Sequence, residues 1–401
     1  MKRNSFSPTA YLASAAGMRR SDPLFVFPFW LGGIPLHRLT LLLAAAVILS
    51  GCGPAASKRA ATETNSDGES EVAEATTTES PEARPVAEPA DDPDAAAQVE
   101  AIAEKVRRDG NGRIIDVDFR GGQVAASDLE PLSKLPMLRA VRLAGTGADD
   151  DAVQYLGEIA SLEDLDLRDC PVSDAGLAHL SSLPKLKALR LSGKSGECSV
   201  SDDGMVEVGK LGSLKVLALD FLWISEEGLA SLKNLKSLQE LYLAGTTIGN
   251  EAIKMLAQYP NLRKLRLAGN QIDGEGVAAL PGLKQLEVLD LSECLQITDQ
   301  DTGPLGELTA LKDLNLWRVN LSDEGIEPLA GLKSIERLNL DNTRLSDQGL
   351  AALSGLTKLK FLHLGSTAIT DEGLVHLGGL KDLEDLIVTR TAVTAEGVAE
   401  L

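Results

Sequence analysis

The residues of this 401-residue chain that could do chemistry are few, and their spacing argues against most reactions. Four histidines are present. His37 lies in an apolar N-terminal region, His179 and His376 recur at one place in copies of the same pattern, and His363 stands alone on a strand, so no metal site follows. Asp118 and Asp166 suggest a carboxylate pair for acid–base work, but Arg142 and Arg190 continue the same 24-residue spacing, giving Asp118, Arg142, Asp166, Arg190. On adjacent strands that order is a ladder of alternating sign. Its members are worth a few tenths of a kcal/mol each, and a cation between the two carboxylates is poor geometry for proton transfer. No phosphate loop, H-E-x-x-H or G-x-S-x-G occurs. The chain is therefore read as a non-enzyme with no cofactor and no metal. Cys170 and Cys198 offer a disulfide if their Cα atoms come within about 4.4–6.8 Å. In the other reading Cys170, like Cys294, fills a small inward slot, and Cys198 is a loop thiol.

These residues must be positioned by one repeated element. Its best copy is 359–382, LKFLHLGSTAITDEGLVHLGGLKD. Leu359, Leu362 and Leu364 point alternate side chains to one face of a short strand. Thr370 reads as an N-cap, and Asp371 and Glu372 suit the positive end of a helix. Leu374, Leu377 and Leu380 recur at the spacing of one helical or 3₁₀ face. With Ile369, seven apolar side chains point inward from a unit too thin to bury them alone, so copies must stack on both sides.

The copies begin at Ile114, Leu138, Leu162, Leu186, Leu214, Leu238, Leu262, Leu286, Leu311, Ile335, Leu359 and Leu383. Spacing is 24 residues, except 28 after Leu186 and 25 after Leu286. A glycine recurs three places after the N-cap, as at Gly176, Gly228, Gly349 and Gly373. Glycine costs a helix about 1 kcal/mol against alanine, so neighbouring convex elements must approach too closely for a Cβ. Aromatics are only 3% of the chain, as expected when leucine fills equivalent slots. The net charge of −20 argues against nucleic acid, whose phosphates need clustered Lys and Arg.

This pattern is that of a leucine-rich-repeat array, an α/β solenoid with a concave parallel sheet and short convex helices or 3₁₀ turns. Its repeats are similar to the cysteine-containing, F-box-associated subclass, with Thr146, Thr246, Thr343, Thr367 and Thr391, or Cys170 and Cys294, where other repeats carry Asn; Asn270 keeps the Asn. With no F-box-like segment before the array, a ubiquitin-ligase role is not implied. Leu49-Ser50-Gly51-Cys52, closing the apolar run 39–50, resembles the lipobox of bacterial lipoproteins. That resemblance implies a signal peptide over 1–52, a lipidated Cys52 and export to the periplasmic side or the cell surface. Met18-Arg19-Arg20 offers a second start with an ordinary basic leader.

Residues 53–93, acidic and rich in Pro and Ala, read as a disordered tether. Residues 94–112 read as a capping helix with Val99, Ile102, Ala103 and Val106 on its apolar face, Arg107 and Arg108 in its last turn, and Gly110 as its stop. The solenoid fills 113–401. Its later outward strand positions carry Tyr242, Arg266, Trp317, Arg337, Phe361 and His363, the residue types that anchor protein interfaces. The expectation is a lipid-anchored module that binds a protein ligand on its concave face. The alternative is a structural protein of the cell envelope that self-associates through the C-terminal edge of the sheet.

Overall fold

A computed structural model describes residues 89–401. The chain enters through helix α1, Pro93–Ile102, whose first turn is capped by the Asp92 carboxylate accepting from the Ala95 N–H at 2.9 Å. Strand β1 (Lys105–Arg108) follows and pairs antiparallel with β2 (Ile114–Asp118). Eleven further strands stack in sequence order: β3 Ala140–Arg142, β4 Asp164–Asp166, β5 Ala188–Ser192, β6 Val216–Asp220, β7 Glu240–Tyr242, β8 Lys264–Arg266, β9 Val288–Asp290, β10 Asp313–Asn315, β11 Arg337–Asn339, β12 Phe361–His363 and β13 Asp385–Ile387. From β2 to β13 every pairing is parallel and in register, so each leucine meets the corresponding leucine of its neighbour, as Leu338 meets Leu362. We number the twelve rungs from β2.

The core is one continuous column of leucine. In the eleventh rung Leu359, Leu362, Leu364 and Ile369 are 0% exposed, and Leu374, Leu377 and Leu380 reach at most 5%. All seven predicted inward positions are thus inward. The covering elements are one-to-two-turn α-helices such as Asp347–Leu353, with 3₁₀ turns such as Gly303–Glu307 and Glu327–Gly331 where a proline follows the first residue. Short covers suit the tight stacking that a 4.8 Å strand spacing imposes.

The N-cap positions show how the covers are locked together. The Asp347 carboxylate accepts from the N–H of Thr370 at 2.7 Å and from its hydroxyl at 2.8 Å, one rung on. Asp299 does the same for Ser322, and Asp371 for Thr394. That carboxylate also explains the recurring glycine. A Cβ on Gly373 would lie 2.3 Å from Asp347 Oδ1, and one on Gly325 would lie 2.5 Å from Asp299 Oδ1. In the fourth rung the helix starts late, at Met205 with Gly204 as its cap, yet Ser201 still donates to Asp174.

The N-terminal edge differs from its sequence reading. The helix expected through residue 109 ends at Ile102, which is 42% exposed, while Ala95, Ala96 and Val99 are buried. Arg107 and Arg108 lie in β1, and Gly110 and Gly112 belong to a turn in which the Asp109 carboxylate accepts from the N–H groups of Asn111 and Arg113, both at 2.9 Å. The physical reason is the unpaired edge of β2, whose backbone donors and acceptors take an antiparallel partner more readily than a helix can satisfy them. Asp91 adds a further clasp, accepting from the Ile114 N–H at 2.7 Å.

Candidate functional site

Along each strand the residues flanking the central leucine face away from the core, and the residue after the next leucine lies beside them. The open face of the sheet is therefore three columns of side chains. In the first four rungs the columns are closed on themselves. Arg142 pairs with Asp116, and Arg190 Nη1 meets Asp164 Oδ1 at 2.5 Å. Asp118 and Asp166 turn instead to Arg120 and Arg168 of their own rungs, at 2.6 and 2.7 Å. The straight ladder Asp118–Arg142–Asp166–Arg190 is thus corrected to a diagonal weave. A guanidinium stem overreaches the carboxylate directly across a 4.8 Å gap and leans to the next column. The hydrogen bond from Arg120 leads in holding the Asp118 carboxyl below its usual value. Neither carboxylate is placed to act as acid or base with the other.

Tyr242 and Arg266 are also committed within the array. The Tyr242 hydroxyl donates to Glu240 Oε2 at 2.7 Å, and Lys264 holds the other Glu240 oxygen at 2.9 Å. Burial first, then Glu240, pushes the Tyr242 phenol above its ordinary value. Arg266 spans four rungs, with Nη1 2.8 Å from Asp220 Oδ2 and Nε 3.2 Å from Asp290 Oδ2. Burial raises the Asp220 carboxyl.

Rungs nine to eleven are different. Trp317 sits in the turn after β10, with the Arg318 guanidinium 5.4 Å from its ring centroid. The Arg337 side chain, 52% exposed, places Nε 3.4 Å from Asp313 Oδ2 and its guanidinium 4.1 Å from the Phe361 centroid. Phe361 and His363 meet edge to face at 6.5 Å. Beside them Gly365 is closely hemmed in by polar side chains. A Cβ there would lie 2.9 Å from Asp341 Oδ1, 2.9 Å from His363 Nε2 and 3.0 Å from Thr389 Oγ1. Arg337, Phe361 and His363 therefore form one aromatic and guanidinium group on rungs ten and eleven, with Trp317 on the adjacent ninth rung, two rungs away from Arg266.

Cys170 and Cys198 are free thiols, which corrects the disulfide reading. The Cys170 sulfur is turned inward, where its S–H donates to the Leu143 carbonyl at 3.0 Å, and Cys294 donates likewise to Leu267 at 3.3 Å. Cys52, the 1–52 signal reading and nearly all of the 53–93 tether lie outside the described residues. Among the described residues no three His, Cys, Asp or Glu side chains converge as metal ligands, and no helix is long and apolar enough to cross a membrane.

Two features escaped the sequence reading. One is an ion-pair ladder at the residue after the first leucine, where Lys187–Glu163, Glu287–Lys312 and Lys360–Glu336 pair at 2.6, 2.8 and 2.7 Å. Its signal was the alternation of sign in that column. The other is Trp223, 76% exposed on the loop edge of the fifth rung.

Four stretches, 159–181, 234–257, 260–280 and 355–378, match the family model described as Leucine Rich repeat. The array is a leucine-rich-repeat solenoid. No curated protein matches the sequence. Among solved structures, the leucine-rich-repeat array is similar to an internalin from Listeria monocytogenes, at 21% identity and a TM-score of 0.49, covering 74% of this chain and 94% of that one. It is also similar to the Arabidopsis receptor kinase HAESA, solved with a peptide hormone and a co-receptor, at 20% identity and a TM-score of 0.49, covering 72% of this chain and 48% of that one. Likenesses at this level assign neither ligand nor location.

Proposed function

We propose that this leucine-rich-repeat protein is a binding module that takes a protein ligand on the concave face of rungs nine to eleven. Trp317, Arg337, Phe361 and His363 are its anchors, and Tyr242 and Arg266 form a fixed border on the N-terminal side. The observation that carries this reading is the contrast along one sheet. Outward arginines of the first four rungs are held closely by carboxylates, whereas Arg337 meets Asp313 only at 3.4 Å and lays its guanidinium over the Phe361 ring, which His363 meets edge to face. Aromatic and guanidinium groups dominate measured interface hot spots. Twelve strands at about 4.8 Å give a face roughly 50 Å long, enough for an interface of standard size. The test is capture of the partner by crosslinking in cells, followed by binding to purified variants. Alanine at both Trp317 and Phe361 is expected to weaken binding more than tenfold with the thermal midpoint unchanged. Undiminished binding by a folded double variant would remove the site from this face.

We also infer that the protein is exported and held at the cell envelope through a lipidated Cys52. The support is the Leu49-Ser50-Gly51-Cys52 motif that closes a twelve-residue apolar run, too short to span a bilayer. A Cys52→Ser chain is expected to leave the membrane fraction, since acyl chains contribute about 0.8 kcal/mol per buried methylene. An intact mass showing residues 1–51 retained on the native protein would refute the anchor.

A further inference from the structure

The loop edge of the solenoid, where the chain leaves each strand and turns toward its helix, carries a second surface. Most rungs place a small or polar residue two positions before the N-cap, as at Gly147, Thr247, Gln271 and Ala368. The fifth rung places Trp223 there, and at 76% it is the most exposed large apolar side chain among the described residues. Among the described residues its indole makes no hydrogen bond and no ring contact, although Ser201 of the fourth rung bridges to its backbone. Two residues earlier Phe221, 39% exposed, takes the left-handed conformation at φ 62°, where other rungs use Gly145, Gly245 or Asn342. Its ring already receives a cation, with Lys194 Nζ 5.9 Å from the centroid. Three rungs on, where the loop is one residue longer, Leu295, 61% exposed, stands nine residues after the first leucine, as Trp223 does, and three before the N-cap Thr298. At the strand spacing that separation is about 14 Å.

A one-signed row of charge runs beside this line. Two places after Ser201, Ser225, Gly249 and Asp273, at the start of the covers of rungs four to seven, stand Asp203, Glu227, Glu251 and Glu275, all exposed. No rung puts Lys or Arg at that position. Glu251 pairs with Lys254 at 2.5 Å, while Asp203, Glu227 and Glu275 make no ion pair among the described residues. Carboxylates spaced one per rung next to two projecting apolar side chains are complementary to a chain that carries cations and apolar groups in turn.

We propose that this edge binds an extended, basic segment of a partner protein, laid across rungs five to eight. Its apolar side chains cover Trp223 and Leu295, and its Lys or Arg side chains face Glu227 and Glu275. An extended chain advances about 3.3 Å per residue, so four or five residues span the distance. The surface lies off the concave face and does not depend on a ligand there.

The test is titration of the full-length chain with a blocked hexapeptide of alternating leucine and arginine, followed by calorimetry at low and physiological salt. The alternating leucine–glutamate peptide is the control. Saturable binding of the arginine peptide is expected, at least tenfold weaker for Trp223→Thr and at least threefold weaker for Glu227→Gln with Glu275→Gln. Trp317→Ala should bind as the parent does, which separates this surface from the concave site. Leu295→Gln provides a second probe that leaves the aromatic end intact and should also weaken binding. Absence of saturable binding, equal binding of the glutamate peptide, or parental affinity in both folded Trp223→Thr and Leu295→Gln would overturn the proposal.

Discussion

In eight of the twelve rungs the ninth place is a small slot between the strand and the turn, and Thr, Asn and Cys fill it by different hydrogen bonds. Thr367 donates back to Leu364 of its own rung at 2.6 Å. Asn270 donates both to Leu267 of its own rung and to Leu243 of the rung before, at 2.9 and 2.7 Å. Cys170 and Cys294 reach only the preceding rung. A thiol is a weak donor, so these two cysteines serve mainly as small apolar fillers of the slot. Burial pushes the Cys294 thiol up to about 12 and raises Cys170 and Cys198 as well. The thiolate is the reactive form, so a raised value means little of it near pH 8. In the native chain all three should resist iodoacetamide at that pH, and in denaturant without reductant all three should be alkylated. Only one of the three modified under those denaturing conditions would restore the Cys170–Cys198 bridge.

At the scale of the element, the cover helices are held by a relay in which an aspartate of one rung satisfies the N-cap of the next. Gly373→Ala would push a methyl group to 2.3 Å from Asp347 Oδ1, the atom that accepts from the Thr370 N–H. The expected cost is roughly 1–3 kcal/mol from overpacking. Asp347→Ala alone should cost about 1 kcal/mol through the lost cap interactions. Because both changes act through one carboxylate, the double variant should lose clearly less than the two costs added together. Denaturant midpoints of the four proteins measure this, and strict additivity would mean that the glycine is required for some other reason. The sequence carried half of this relay. Recurrence of glycine three places after the N-cap announced a close approach, because only geometry justifies a poor helix former at so many equivalent sites. The identity of the approaching atom was hidden, since Asp347 is an ordinary first-turn carboxylate until the next rung is placed beside it.

For the whole molecule, period was legible and pairing was not. Identical leucine slots at 24-residue spacing leave one way to stack, so strand register and core followed directly. Arg142 illustrates what did not follow, because its choice of Asp116 over Asp118 depends on side-chain reach across two columns. The candidate patch divides the same way. Outward placement of Phe361 and His363 was set by strand alternation, but the commitment of Tyr242 and Arg266 to internal carboxylates was not visible. The N-terminal hairpin was missed because Lys105–Arg108 shows no alternating pattern, being built to pair with an edge rather than to bury a face. That edge supports a last prediction. A solenoid is stabilised by contacts between neighbours only, so damage at one end should stay near that end. Val99 is 0% exposed where α1 covers the first rung. Val99→Asp would bury an unpaired charge there, at a local cost above about 3 kcal/mol. Hydrogen exchange should then accelerate in β2 and β3, fade over the following rungs, and leave β10 to β12 at parental rates. Uniform acceleration from β2 to β12 would mean that the twelve rungs unfold as one unit, and that α1 seals the entire array rather than its first turns.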